Sequence, residues 1–255
     1  SDPKIRKIFD QWKGTPALDS PLEKNQDLKS VMIEETPWLR QAQSESQARK
    51  NVGILFDKNR MDDEVSRCFR KLAEMQLPDG AWPWFPGGYG NDYITLYITT
   101  GFGRMRHLGA GADMGPAVRS LERLDNWIND IYREILRRGN KDSNHLSETI
   151  ALYLYGRSFF LKDRPVGGDA KEAVDYFVGQ AQKYWLKLAN RQSQGHLAIA
   201  LLRFGDAATP ADIMKSIKER SVTDEELGMF WRETELSWWW YRAPIETQAL
   251  MIEAF

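Results

Sequence analysis

Cysteine is almost absent from this chain of 255 residues, in which Cys68 is the only one. A lone thiol excludes an internal disulfide framework and a cysteine-based zinc site. Neither staple is needed at this length, which can bury a sizeable core. An excess of one charge is also missing: 35 Lys and Arg face 36 Asp and Glu, for a net charge of −1. That balance lacks the basic surplus of a nucleic-acid binder, so no nucleic acid is expected as a partner. No apolar run approaches the roughly 18 to 20 residues that cross a bilayer, so no transmembrane segment is expected either. What is present is ordinary. A content of 42% hydrophobic and 28% charged residues fits one globular body, or at most two. The chain opens at Ser1-Asp2-Pro3 without a signal-like segment and stops at Phe255 inside an amphipathic pattern, which reads as a piece of a longer polypeptide.

Pro3, Gly14, Pro16 and Pro21 break up the stretch to about Thr36, an irregular connection with one short helical turn around Ile5, Ile8 and Phe9. Beyond it the helical period dominates. Val65, Cys68, Phe69, Leu72 and Met75 share one face of a helix ending near Gln76. Tyr93 to Leu108 repeats the pattern and is closed by Gly109; Val118 to Ile135 follows and stops at Gly139. Ser143 is the expected N-cap of a helix carrying Leu146, Ile150, Tyr153, Leu154 and Phe160. Further helices run through Ala173 to Leu188, Leu197 to Phe204 with a stop at Gly205, Pro210 to Arg220, and onward from Pro244. Short joints favour antiparallel neighbours, and period-two alternation is scarce. The fold class is all-α. A bundle, a solenoid and a closed α/α barrel remain open on periodicity alone.

Aromatic residues gather in two loops. Gln76 to Gly88 holds Asp79, Gly80, Trp82, Trp84 and Phe85, with Tyr89 just beyond; Leu227 to Trp231 precedes Trp238-Trp239-Trp240-Tyr241. Six of the ten tryptophans lie in these regions, which suits caps or pocket walls rather than scattered core. Asp79-Gly80 signals a turn, in which Gly supplies positive φ and Asp accepts from the backbone two residues on. Asp79, Trp82, Trp84, Phe85, Tyr89 and Trp231 are therefore the candidate aromatic cap or binding surface, with the aromatics clustered at one end of the helices and Asp79 bonding its own turn.

Gln76-x-x-Asp79-Gly80-x-Trp82 resembles the helix-pair turn of α/α toroids, including terpenoid cyclases and the thioester domain of the complement and alpha-2-macroglobulin superfamily. Leu55-Phe56-Asp57-x-Asn59-Arg60-Met61, Gly80-Ala81-Trp82-Pro83-Trp84-Phe85-Pro86-Gly87-Gly88, Tyr93-Ile94-Thr95 and Pro244-Ile245-Glu246-Thr247-Gln248-Ala249 together resemble bacterial alpha-2-macroglobulin-like proteins of the Bacteroidetes type. Leu28-Lys29-Ser30-Val31 and Glu34-Glu35-Thr36-Pro37-Trp38 are similar to that family's lead-in from β-sandwich domains, and the similarity covers nearly the whole chain. The resemblance implies a linker over 1–36 and an α/α toroid of antiparallel hairpins over 37–255, here an incomplete arc whose final helix exposes apolar side chains. It implies a location in the periplasm or outer envelope. The expected partners are β-sandwich domains of the same polypeptide and proteases, trapped after a bait region is cut. In the family a Cys-Gly-Glu-Gln type motif forms a thioester that tethers the protease. Residues 33–38, where that motif would fall, contain no Cys, and Lys71 rather than Gln stands three residues after Cys68. The implied domain is non-catalytic, without thioester, metal or cofactor, and Cys68 is expected to be a small buried apolar group.

The alternative is an (α/α) barrel enzyme or binding module acting on carbohydrate, with Trp82, Trp84 and Trp231 as its platform. Asp79, Asp92, Glu148 and Glu246 are the candidate acid and base. The turn accounts for Asp79, and the first turn of a helix accounts for Glu246. No pair is singled out by spacing. His145 and Glu148 are three apart and fit a metal face only with a further partner; as a solvated pair they need none. His107 and His196 are isolated, and no Gly-x-Ser-x-Gly elbow occurs. Gly101-x-Gly103 and Gly109-x-Gly111 lack the context of a dinucleotide loop and read as helix packing and a helix stop. The charge run from Arg133 to Lys141 reads as a solvated helix end.

Overall fold

The computed structural model describes residues 3–13, 15–19, 24, 37–51, 58–225, 228–231 and 244–255. It is all-α with two small antiparallel hairpins. Of the positions singled out in the sequence, residues 14, 21, 28–31, 33–36, 55–57, 227 and 238–241 lie outside the described residues. The chain divides into two compact units, Ser1–Glu74 and Met75–Phe255.

The first unit holds α1 (Pro3–Trp12), α2 (Pro37–Asn51) and most of α3 (Lys58–Met75). The expected short turn near Ile5 is a ten-residue helix. Pro3 at its first position is preset for helix, and the breakers Gly14 and Pro16 fall only after Trp12. Phe9 and Leu18 are buried, and Lys50 on α2 pairs with Asp19 at 3.1 Å. Cys68 corrects its expected burial: it is exposed, as is Val65, while Phe69 and Leu72 are half-buried. The apolar face of α3 is thus covered along a strip narrower than its periodicity suggests.

The second unit begins with β1 (Trp82–Pro83) paired to β2 (Gly90–Asn91), then α4 (Asp92–His107), α5 (Gly115–Arg138), α6 (Glu148–Ser158), α7 (Asp169–Tyr184), α8 (Arg191–Arg203) and α9 (Ala208–Glu219). β3 (Val222–Asp224) pairs with β4 (Gly228–Phe230) in the register Val222 to Phe230, and α10 (Pro244–Ala254) closes the chain. Alternate helices pack side by side. One row runs α4, α6, α8, α10, and α5 packs on both α4 and α7 in a second row, with α9 against α8.

Composition explains which helix takes which place. α5 carries one apolar stripe, Leu121, Leu124, Ile128, Tyr132 and Ile135, and buries it with Pro116, Ala117, Ser120 and Asp125 while Glu122, Asn126, Asp130 and Arg133 stay exposed. α6 and α8 are buried along most of their length, and they bury polar groups as well as apolar ones: Arg157 on α6, and Arg191, Gln194 and His196 on α8. A Cβ on Gly156 would lie 2.2 Å from Thr100 Oγ1, and one on Gly103 would lie 2.5 Å from the Phe159 ring. Glycine thus sets the close approach of α4 and α6; Gly103 fits the helix-packing reading of Gly101-x-Gly103, whereas a Cβ on Gly101 would meet nothing within 4 Å.

Helix ends follow local chemistry. Asn91, Ser147 and Asn190 accept from the backbone of the first turns of α4, α6 and α8. The expected cap, Ser143, sits in a turn four residues earlier; Asn144 and His145 are held there by Leu146 N to Asn144 Oδ1 and His145 N to Gln180 Oε1. Gly109, Gly139 and Gly205 all take positive φ just past their helices. Behind α6, Arg157 and Tyr153 meet Asp125 of α5: Tyr153 Oη donates to Asp125 Oδ1 at 2.8 Å and Arg157 Nε at 2.9 Å.

Candidate functional site

The turn after α3 is built from the residues that the sequence singled out. Ala81 N donates to Asp79 Oδ1 at 3.1 Å, closing the expected Asp turn. Gly80 takes φ +83, and a Cβ there would meet the Arg119 carbonyl at 2.5 Å. Gln76 Nε2 donates to the carbonyls of Gly80 and Pro116, at 3.0 and 2.8 Å, and its Oε1 accepts from Arg119. Arg123 on α5 bridges Asp79 and Asp92 at 2.5 and 2.7 Å. Burial opposes its charge, but the two carboxylates outweigh that and hold its pKa above the ordinary value. This assembly fastens the turn to the start of α5.

The aromatic candidates separate. Trp82 has no exposed surface, donates its backbone N–H to Thr95 Oγ1 at 2.9 Å and stacks on Phe102. Trp84, Phe85 and Tyr89 sit on the hairpin tip and are 46%, 69% and 97% exposed. Trp231 packs elsewhere: its indole donates to the Ile217 carbonyl at 2.9 Å and stacks on Phe255. The expected single cap is therefore two structural tryptophans at two places plus an exposed tip. β1 ends at Pro83, so Trp84 falls in the loop between β1 and β2 rather than on the strand, and Trp231 follows a different hairpin.

A cavity of about 150 Å³ lies along the row α4, α6, α8, α10, at the N-terminal ends of α6, α8 and α10. Tyr97 and Arg104 come from α4, Glu148 and Thr149 from α6, Gln192 and His196 from α8, and Glu246 from α10. Of the four candidate carboxylates, Glu148 and Glu246 are brought together here, while Asp79 and Asp92 are committed to Arg123. Both glutamates stand in first helical turns, where they complement the positive ends of the helix dipoles. Burial, and then the charge of Glu246, push the Tyr97 phenol above its ordinary pKa.

Beneath the cavity His196 stacks on Tyr155 with ring centroids 4.6 Å apart. Burial, and secondly the Arg104 charge, depress its pKa to about 3, so its imidazole is neutral. Tyr155 Oη donates to Glu253 of α10 at 2.6 Å, and Arg104 and Arg203 approach the same carboxylate at 3.6 and 3.4 Å. Burial first, then Glu253, raise the Tyr155 pKa far beyond its usual range. The arrangement offers hydrogen-bond donors and acceptors of both charges around a neutral, polar floor.

The other histidines lie apart from it. His145 precedes Ser147 and therefore shares no helical face with Glu148; its Nε2 is 2.9 Å from the Asn140 carbonyl. His107 is exposed beside Phe159. Sequence reasoning passed over His196 and Arg104 as cavity residues, because their partners come from helices far away in the chain. The available signal was recurrence: Glu148 and Glu246 each open a helix of the same row.

Among the described residues no helix is long and apolar enough to cross a membrane. Comparison with known families finds no family model that matches the chain, and comparison with curated proteins finds no significant match.

Proposed function

We propose that residues 75–255 form an arc of an α/α toroid, with α4, α6, α8 and α10 as the inner row. In this reading the chain is a non-catalytic, protein-binding domain of a large bacterial envelope protein of the alpha-2-macroglobulin-like class. It packs against β-sandwich domains of that polypeptide and contributes to trapping proteases without a covalent thioester. The observation that carries the reading is the turn from Gln76 to Trp82. The residues that resemble the family turn fasten the loop from Gln76 to Ala81 to α5, and alternate helices of the following segment pack in rows. Cys68 is exposed on α3 and has Lys71, not Gln, three residues on, which supports a non-covalent mode.

The test is incubation of the full polypeptide with an endopeptidase. A trapped protease keeps cleaving a small chromogenic peptide and loses access to a large protein substrate. Equal cleavage of both substrates would sink the reading. Methylamine treatment followed by mass spectrometry should give no glutamine adduct and no newly released thiol, and Cys68→Ala should leave trapping unchanged. A methylamine adduct would restore a covalent mechanism.

A further inference from the structure

The cavity along the row α4, α6, α8, α10 has a floor that the protein's own groups leave unfinished. His196 is 8% exposed and lines the cavity, and its Nδ1 has no hydrogen-bond partner among the described residues. Buried polar atoms are normally paired, so a bare one on a residue that lines a cavity marks a place where a ligand atom or a water can complete the bonding.

The lining limits what that ligand can be. The Glu148 and Glu246 carboxylates disfavour an anion. The Arg104 guanidinium and the positive N-terminal ends of α6, α8 and α10 disfavour an amine. Thr149, Gln192 and the bare imidazole nitrogen disfavour an apolar molecule, which would strand them without partners. A neutral ring remains, with hydroxyls that both donate and accept at its edge and C–H groups on its faces, the latter suited to Tyr97 and Leu152. We infer that this cavity binds one ring of a saccharide. Its volume of about 150 Å³ suits a single ring rather than a chain. Glu246 accepts from ring hydroxyls, Arg104 donates to them, and His196 completes its hydrogen bonding on the ligand. Saccharide binding goes beyond protease trapping and is read independently of it.

The test is calorimetric titration of the chain with neutral hexoses, N-acetylated hexosamines and their disaccharides, with benzylamine and benzoate as charged rings of comparable size. At least one neutral sugar should saturate with one site per chain, and neither charged ring should. Glu246→Gln should weaken that sugar by about ten-fold or more, the effect of losing a charged hydrogen-bond acceptor. Asp130→Asn, on the far side of α5, should leave it unchanged. If Glu246→Gln fails to fold by circular dichroism, Thr149→Val reads the same contact surface with the shape retained. Absence of saturation by every sugar overturns the inference. So does saturation by benzylamine or benzoate in their place, or sugar binding that both Glu246→Gln and Thr149→Val leave intact.

Discussion

At Trp82 and Trp84 a tryptophan with no exposed surface and one nearly half exposed stand two residues apart. Their substitution should separate two roles that the aromatic-rich sequence merges. Trp82→Ala removes a ring stacked on Phe102 between the hairpin and α4 and should cost roughly 3 to 5 kcal/mol. Trp84→Ala should stay within about 0.5 kcal/mol of the parent. Urea melts of both variants check this; superimposed curves for Trp82→Ala and the parent would contradict the buried role. Asp79 and Gly80 were legible because a turn's chemistry is local: one side chain reaches two residues on, and one φ must be positive. Cys68 and Trp231 were not, because burial depends on what arrives from elsewhere in the chain.

The same Asp125 carboxylate receives Tyr153 and Arg157, both almost fully buried. Burial raises the Tyr153 pKa first, and the neighbouring Asp125 charge adds to it, so the phenol stays protonated and donates. Asp125→Ala strands a buried guanidinium and should cost about 3 to 5 kcal/mol by chemical denaturation. Pairing it with Arg157→Met should recover a large part of that loss, since the uncompensated charge leaves together with its partner. A double variant as unstable as the single one would show that shape, not charge pairing, sets the cost.

At the scale of elements, helix positions were readable where periodicity and glycine stops coincide. α5 shows both: an apolar stripe and Gly139 in the left-handed conformation after it. α6 and α8 were read as amphipathic although they are buried nearly all round, since a short apolar segment looks similar in either setting. Their burial follows from close approach within one row, and Gly156 is where that approach is tightest. Gly156→Ala places a Cβ 2.2 Å from Thr100 Oγ1 and should destabilise by roughly 1 to 3 kcal/mol through overpacking, despite the helix propensity gained. Adding Thr100→Ala removes the offending oxygen, leaving the nearest atoms at 3.4 Å, and should restore part of the loss. Thermal melts of the three variants read the coupling. Additive effects would mean that the two helices yield at that point without strain.

Across the whole set of packed rows, the cavity joins residues that are never neighbours in the chain. Tyr97, Glu148, His196 and Glu246 are separated by roughly one helix pair at each step, a recurrence that only the alternate packing of α4, α6, α8 and α10 turns into a site. Its floor should leave a mark on global stability. His196 titrates at about 3 in the folded protein against an ordinary 6.5, because burial, and then Arg104, disfavour the imidazolium. The unfolded chain therefore takes up a proton first as pH falls. The stability contributed by the neutral imidazole is complete above about pH 6.5 and is lost progressively from there down towards pH 3, with a limiting slope of about 1.4 kcal/mol per pH unit. His196→Phe keeps a ring against Tyr155 and removes the titration. Between pH 7 and 5 the parent should lose about 2 kcal/mol more than His196→Phe, a window in which ordinary carboxylates remain largely ionised in both proteins. Urea denaturation at the two pH values measures the difference directly. Equal losses in parent and variant would show that the imidazole titrates alike in the folded and the unfolded chain, and is not held neutral by burial.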